Sequence, residues 1–402
     1  MRIDVLTSLY PSPKAPFEGI FAARKWEGMA ARGHEVRIVA PLPWAPRALA
    51  IFMSPERARI ATAPAVETRS GIEVVRPRFL HVPKAGAKNA ERYASAGLKE
   101  ILTRRIEGSG RVADACVLDY AWPAAAAAPR LAEARVPCVV NGRGSDVLQV
   151  RDVPELREPL AHGLRAASAL TAVSQDLLDA MLELRGSAGD APAVLTPNGV
   201  DSVHFCPGDR AEARAKVGES PEGKVILVVG HLIERKDPLL ALRAFLALDR
   251  PDVRLVFVGR GPMEDALTKA IQASEATARV HLLGERPPEE LVHWYRAADV
   301  MLLTSSREGR PNVVLEALST GCAVLATDAG GTSEVIPDHD RMLARTRLPE
   351  DIAAKLASLL DQPPAADTLR VSVEPLSWAS SLEALESLLT DLVAGTRARA
   401  TS

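Results

Sequence analysis

No run of about 18 uninterrupted apolar residues occurs in this 402-residue chain, which argues against a membrane-spanning helix. The opening MRIDVLTSLYPSP carries one early arginine. It holds no apolar run of roughly 7–15 residues, so no secretory signal is expected. Cys116, Cys138, Cys206 and Cys322 lie far apart, with no CxxC and no Cys/His cluster. A reducing compartment and no structural zinc follow, and a soluble, cytoplasmic protein is expected. GxxxxGK(S/T), GxSxG and HExxH are all missing, which removes the P-loop, the nucleophile elbow and the zinc-protease helix.

Charge of one sign is not in excess either. Lys and Arg number 49 against 51 Asp and Glu, a net of −2, so no nucleic-acid partner is indicated. The balance conceals two halves. Residues 1–205 hold 26 basic and 22 acidic residues, and residues 206–402 hold 23 and 29, so the halves carry +4 and −6. With 47% hydrophobic and 25% charged residues the composition is that of a globular protein. At roughly 150 residues per domain, two domains are expected.

The first forty residues read as strand, helix, strand: Ile3–Leu9, Phe21–Arg32 with Ala22, Trp26 and Ala30 at helical spacing, then Val36–Ala40. Short loops between them imply a parallel pair with a right-handed crossover. Residues 41–110 show no clear pattern beyond an apolar stretch, Ala48–Met53, and many basic residues after Phe79. Further strands are expected at Ala115–Asp119, Val136–Asn141 and Ala169–Val173. From Lys224 onward five short continuous runs rich in Val and Leu alternate with four helical segments. Continuous apolar strands mean burial on both faces, hence parallel sheets covered by helices. The Gly-, Pro- and Asp-rich stretch Asn198–Gly223 reads as a linker. An α/β chain of two doubly wound domains results, with ligands expected outside strand C-termini.

Four motifs carry chemistry. Glu308-Gly-Arg-Pro-Asn-Val-Val-Leu-Glu316 follows the strand Val300–Thr304. Glu316 on the helix leans toward the strand ends, where a carboxylate can accept from two vicinal ribose hydroxyls. N–H groups around Gly309, Arg310, Asn312 and Val313 would face anionic oxygen. Two glutamates on an ordinary solvated helix would look the same. Gly230-His231-Leu-Ile-Glu-Arg-Lys236 offers a glycine at a strand exit and two cations suited to a diphosphate, although a basic surface loop fits equally. Pro197-Asn-Gly-Val-Asp201 is turn chemistry and marks the domain junction. Asn141-Gly-Arg143-Gly-Ser-Asp146 follows a buried strand, and Arg143 with Asp146 either contacts a hydroxyl-rich or anionic ligand or forms an ion pair. Gly19, ending the first loop, can present N–H groups to phosphate.

Taken in order, these blocks resemble the retaining, nucleotide-sugar-dependent glycosyltransferases of family 4 (glycosyl transferases group 1). The resemblance includes Gly33–Val36, RGSD, PNGVD, VGHLIERKD, VGRGP, EGRPNVVLEAL and AVLATDAGGTSEVI. It implies GT-B architecture, two Rossmann-like domains facing a central cleft. Residues 1–205 would be the acceptor side and 206–375 would bind the nucleotide sugar, with a helix at about 376–394 returning to the first domain. Glu316 would hold the donor ribose, Lys236 the diphosphate, Glu308 and the following backbone the sugar and phosphate, and Gly19 the phosphates from the first domain. Two departures stand out: His231 replaces the family's arginine beside Gly230, and Asp119 occupies the place of a histidine that contacts the donor sugar. The implied reaction is retaining transfer from a nucleotide-diphosphate sugar to a hydroxyl, with no cofactor and no metal. The acceptor would be a carbohydrate or lipid-linked molecule of polysaccharide, glycolipid or other glycoconjugate synthesis. A peripheral position at the inner face of an anionic membrane fits the basic half. An epimerase or phosphorylase of the same architecture, or a non-catalytic sugar-nucleotide binder, are the alternatives.

Overall fold

The computed structural model describes residues 1–13, 15, 16, 18–44, 63–103, 113–187 and 191–401. Ala48–Met53 and the end of the basic run after Thr103 lie outside them. The chain divides into two compact units, Met1–Asn198 with Trp378–Ser402, and Gly199–Ser377. The expected boundary at residue 205 moves to Asn198 because Val200 and Phe205 are buried in the second unit's core. The expected linker also contains a helix, Arg210–Val217, capped by the Asp209 side chain and ended by left-handed Gly218. A cap of each kind was present in the sequence.

The first unit contains the strands β1 (Arg2–Thr7), β2 (Glu35–Val39), β3 (Leu42–Trp44), β4 (Val66–Arg69), β5 (Ile72–Val75), β6 (Arg78–Leu80), β7 (Ala115–Asp119), β8 (Cys138–Gly142), β9 (Ala169–Ala172) and β10 (Ala193–Leu195). Eight of them form one sheet in the order β10-β9-β8-β7-β1-β2-β5-β4, while β3 and β6 pair separately. Neighbours are parallel except β4 against β5. Alternate residues of β1 enter different layers, as a two-sided strand requires. Ile3 and Val5 pack with Trp26 and Met29 of helix Ile20–Ala31 and with Leu385 and Leu389 of helix Trp378–Thr401. Leu6 joins Leu98 and Ile101 of helix Gly86–Thr103 on the other face. Helix Trp378–Thr401 lies so close to helix Ile20–Ala31 that a Cβ on Gly28 would sit 2.6 Å from Leu382. Glu386 also accepts from Arg32 at 2.7 Å and contacts His34 at 2.8 Å.

In the second unit β11 (Lys224–Val229), β12 (Val253–Val258), β13 (Val280–Leu282), β14 (Val300–Leu303), β15 (Ala323–Thr327) and β16 (Leu343–Ala344) form one sheet. Its order is β13-β12-β11-β14-β15-β16, parallel throughout. Both units are doubly wound. The strand order reverses at β1/β7 in one and at β11/β14 in the other, which are the positions where such sheets open to ligands. No helix of the described residues is long and apolar enough to cross a membrane.

Candidate active site

At the β11/β14 switch point two loops meet. The loop leaving β11 begins at Gly230, whose φ of 141° lies in the region glycine favours, and carries Arg235 and Lys236 on a single 3-10 turn. The loop leaving β14 carries Glu308. Lys236 Nζ is 2.6 Å from Glu308 Oε1, and an Arg235 nitrogen is 3.0 Å from Oε2. Ser305 Oγ donates to Oε1 at 2.6 Å. Glu308 is only 7% exposed. Burial alone would raise its pKa, but the Lys236 and Arg235 charges and the two hydrogen bonds outweigh that and hold it below the usual glutamate value.

Both loops are tied down behind this pair. Thr304 Oγ1 lies 3.0 Å from the Lys236 carbonyl and 2.9 Å from that of Asp237. Arg347 donates to the carbonyls of Thr304 and Ser305, both at 2.8 Å, and to the Asp237 carboxylate at 2.7 Å. Asp237 in turn caps helix Pro238–Leu248 by accepting from Leu240 N at 3.0 Å. The glycines of VGRGP serve the same loop sterically. A Cβ on Gly259 would lie 2.0 Å from the Gly230 carbonyl oxygen, and one on Gly261 2.4 Å from that of Leu232.

Helix Asn312–Ser319 begins beyond Pro311, its N-cap. Glu316 is buried on it and accepts from Tyr295 Oη at 2.9 Å. Arg310 is buried, with Nε and Nη2 lacking hydrogen-bond partners among the described residues, as does Asn312 Oδ1. Burial lowers the Arg310 pKa. The Glu308 carbonyl accepts from Gly331 N at 3.2 Å, tying the loop before Gly309 to the segment after β15. Val313 packs against the core. His231 is exposed on the loop.

The first unit gathers a second polar cluster where β7, β8 and β10 end. Asp119 is fully buried. It accepts from Arg143 Nε at 2.7 Å and Nη2 at 2.8 Å, from Asn141 at 2.6 Å and from Trp26 Nε1 at 3.0 Å. The ion pair weighed between Arg143 and Asp146 is therefore made with Asp119 instead. Asp146 accepts backbone N–H groups of Ala121 (2.6 Å), Gly144 (2.7 Å) and Arg143 (3.0 Å). Asp119 has no exposed surface, and both its oxygens are engaged by Arg143, with Asn141 and Trp26 beside it. Burial pushes the Asp119 carboxyl up, yet the Arg143 charge and hydrogen bonds, with the Lys25 charge, bring it down to about 2. Lys25, buried and donating to the Thr196 carbonyl (3.2 Å) and hydroxyl (3.0 Å), falls to about 7 through burial and the Arg143 charge. Burial raises Asp146 to about 6 despite its three N–H donors. Gly19, at φ 71°, is the N-cap of helix Ile20–Ala31, and a Cβ there would lie 2.7 Å from the Leu9 carbonyl oxygen.

Sequence reasoning missed Arg235, Ser305, Thr304, Tyr295 and Arg347 in one unit, and Lys25, Trp26 and Asn141 in the other. Arg235 sat beside Lys236 and was legible. Arg347 lies 110 residues from the aspartate it holds, and nothing local marks it.

Comparison with known proteins bears on this geometry. Residues 209–372 match the family described as Glycosyl transferases group 1, and residues 19–199 the Glycosyl transferase 4-like domain. A Bacillus subtilis protein described as a teichuronic acid biosynthesis glycosyltransferase, TuaC, is 28% identical over 93% of this chain and 94% of its own length. A D-inositol 3-phosphate glycosyltransferase of Frankia alni is 30% identical over 71% of this chain and 72% of its own. Among solved structures, sucrose-phosphate synthase from Thermosynechococcus elongatus superposes with a TM-score of 0.78 at 20% identity, covering 98% of this chain and 100% of that one. Anabaena HepE in complex with UDP gives 0.70 at 17%, covering 97% and 99%. Two parallel-sheet units with these relatives and neighbours have the GT-B fold, and the chain belongs to the group 1, family 4 glycosyltransferases.

Proposed function

We propose that this chain moves a sugar from a nucleotide-diphosphate sugar to a hydroxyl acceptor with retention at the anomeric carbon, in the synthesis of a polysaccharide or other glycoconjugate. The observation that carries the reading is the convergence of Lys236, Arg235 and Glu308 at the switch point of the second unit, ahead of a helix that holds Glu316. The name of the B. subtilis relative supports polysaccharide synthesis, and the UDP complex of HepE supports a nucleotide donor.

In this reading Glu316, oriented by Tyr295, receives the ribose hydroxyls. Lys236 and Arg235 neutralise the diphosphate as it leaves, with N–H groups of Gly309, Arg310, Asn312 and Val313 and the imidazole of His231 nearby. The departing phosphate oxygen takes the acceptor's proton on the face where the new bond forms, so no protein nucleophile is needed. Fixed side-chain cations supply the charge stabilisation that a metal gives elsewhere. The work left to the protein is positioning.

Peripheral contact with an anionic membrane is part of the proposal. Trp44 and Leu80 pair across β3 and β6 and are 53% and 41% exposed, and Lys84, Lys88 and Lys99 are exposed close by in sequence. Apolar anchors beside lysines suit a lipid surface. Flotation with vesicles of anionic and of neutral lipid tests this; equal or no binding to both overturns it.

Thermal shift with UDP-, GDP- and ADP-sugars identifies the donor, since the cognate nucleotide stabilises by mass action. Proton NMR of the product then reads the anomeric configuration. An inverted product, or no transfer to any acceptor with a stabilising donor, overturns the proposal.

A further inference from the structure

Glu316 owes its orientation to more than its own helix. Tyr295, whose hydroxyl donates to it at 2.9 Å, sits on helix Pro288–Ala297 and has no exposed surface. Burial and the Glu316 charge push the Tyr295 phenol well above the usual tyrosine value, so it stays a donor. A hydroxyl on a rigid ring aims only as well as the ring is held, and a hydrogen bond weakens steeply once misaligned.

The first residues of the second unit hold that ring. Phe205 meets Tyr295 edge to face, with centroids 5.9 Å apart and planes at 73°, and is itself buried. His204 packs edge to face on Phe205 at 4.7 Å. Its Nε2 donates to the Pro288 carbonyl at 2.9 Å, at the start of the helix that carries Tyr295. Near the end of that helix Arg296 donates from Nε to the Cys206 carbonyl at 2.8 Å and from Nη2 to Cys206 Sγ at 3.1 Å. Residues 204–206 therefore bind both ends of helix Pro288–Ala297 and set a ring against Tyr295 between them.

The same short segment grips the helix of Glu316. Buried Ser319 donates from Oγ to the Phe205 carbonyl at 2.6 Å. It lies three residues beyond Glu316, so the two share a helix face. Phe205 thus acts on the pair from two sides: its ring places the phenol, and its carbonyl places the helix of the carboxylate. A turn fixes the segment itself, with Phe205 N donating to the Asp201 carbonyl at 2.8 Å and His204 N to the Asp201 carboxylate at 3.1 Å.

We infer that Phe205 and Ser319 are positioning residues for the donor's ribose, setting the Tyr295–Glu316 pair in the geometry that receives two hydroxyls. The inference rests on the ribose role proposed for Glu316 above. Neither residue touches the donor; the effect passes through Tyr295 and through the helix. A merely structural role would weaken every ligand of the second unit alike. A positioning role costs only the share of affinity that comes from the ribose hydroxyls.

Isothermal titration of the full chain with UDP, GDP and ADP, and with the form of the binding nucleotide that lacks both ribose hydroxyls, tests it. The native chain should prefer the ribose form at least about tenfold, as hydrogen bonds to a carboxylate imply, and Glu316→Ala should abolish the preference. Phe205→Leu and Ser319→Ala should each cut the preference at least about threefold and leave affinity for the dideoxy form unchanged. Ser319→Ala removes a single hydroxyl and decides the matter if Phe205→Leu fails to fold. In a Tyr295→Phe background Phe205→Leu should cut the preference no further, because the hydroxyl it aims is gone. Equal losses for both nucleotides, or an undiminished preference in the variants, overturns the inference. A native chain without the preference, or a preference that survives Glu316→Ala, overturns the ribose assignment itself, so the two failures are told apart.

Discussion

Lys236 Nζ and Glu308 Oε1 stand 2.6 Å apart with the lysine side chain 19% exposed, so the cation assigned to the diphosphate already has an anionic partner. A diphosphate must share Lys236 with a carboxylate that also repels it. On the proposed reading, Glu308 opposes nucleotide binding while placing the cations that would serve its departure.

Glu308→Gln consequently separates binding from turnover. UDP should bind more tightly, because a negative charge is gone, while transfer falls at least about tenfold, a barrier raised by roughly 1.4 kcal/mol. Lys236→Ala should lower both. Titration calorimetry and initial rates read the two effects; parallel losses in Glu308→Gln would reduce Glu308 to a structural residue.

Tyr295→Phe removes a hydroxyl that donates to Glu316 Oε2. A hydrogen bond to a charged group contributes about 1.5–3 kcal/mol. The donor KM should rise several-fold, with kcat changing less, since ribose contacts are equal in ground and transition states. Glu316→Ala should cut kcat/KM by at least about tenfold.

Gly259→Ala should weaken UDP binding although Gly259 is given no contact with the donor. Its new Cβ would meet the Gly230 carbonyl oxygen at 2.0 Å, and φ 145° disfavours any side chain. The loop after β11 must move, carrying Lys236 with it. Unchanged UDP affinity in a folded variant would show that the loop yields freely.

Lys25 gives a signed pH dependence. Its folded pKa of about 7 lies below the ordinary lysine value of 10.5, so between these values the unfolded chain binds more protons and stability rises with pH. Relative to Lys25→Met, the native chain should gain on the order of 2 kcal/mol between pH 7 and 9. Urea titrations at both pH values measure it; a constant difference between the two proteins would contradict a neutral buried lysine. Asp119, held at about 2, works in the opposite range, its contribution lost as pH falls below about 4 toward that value.

Legibility followed locality. The order strand, Glu308 loop, Glu316 helix could be read because a continuous apolar run and Gly-Arg-Pro-Asn lie within twenty residues. Helix Gly86–Thr103 was also written there, in Ala90, Tyr93, Ala94, Gly97, Leu98 and Ile101 at three- and four-residue steps. Lys88, Arg92 and Lys99 interrupt that pattern and give the segment the look of a charged surface. Strands β3 to β6, at three or four residues each, are too short for periodicity to register. Pairings were the hidden part. Arg143 chose Asp119 over Asp146 because β7 and β8 run side by side with Asp119 opposite Asn141, a neighbour relation created by the sheet. Lys25 looked like one more polar residue on an amphipathic helix, and its partner Thr196 is 171 residues away.

Arg347 and Thr304 together grip the peptide at Lys236 and Asp237 from behind. The conformational entropy of that turn is thus surrendered when the chain folds, not when a donor arrives. Nucleotide capture by this loop should then show little ordering penalty in its calorimetric signature, and loosening Arg347 should appear first as a more unfavourable entropy of binding.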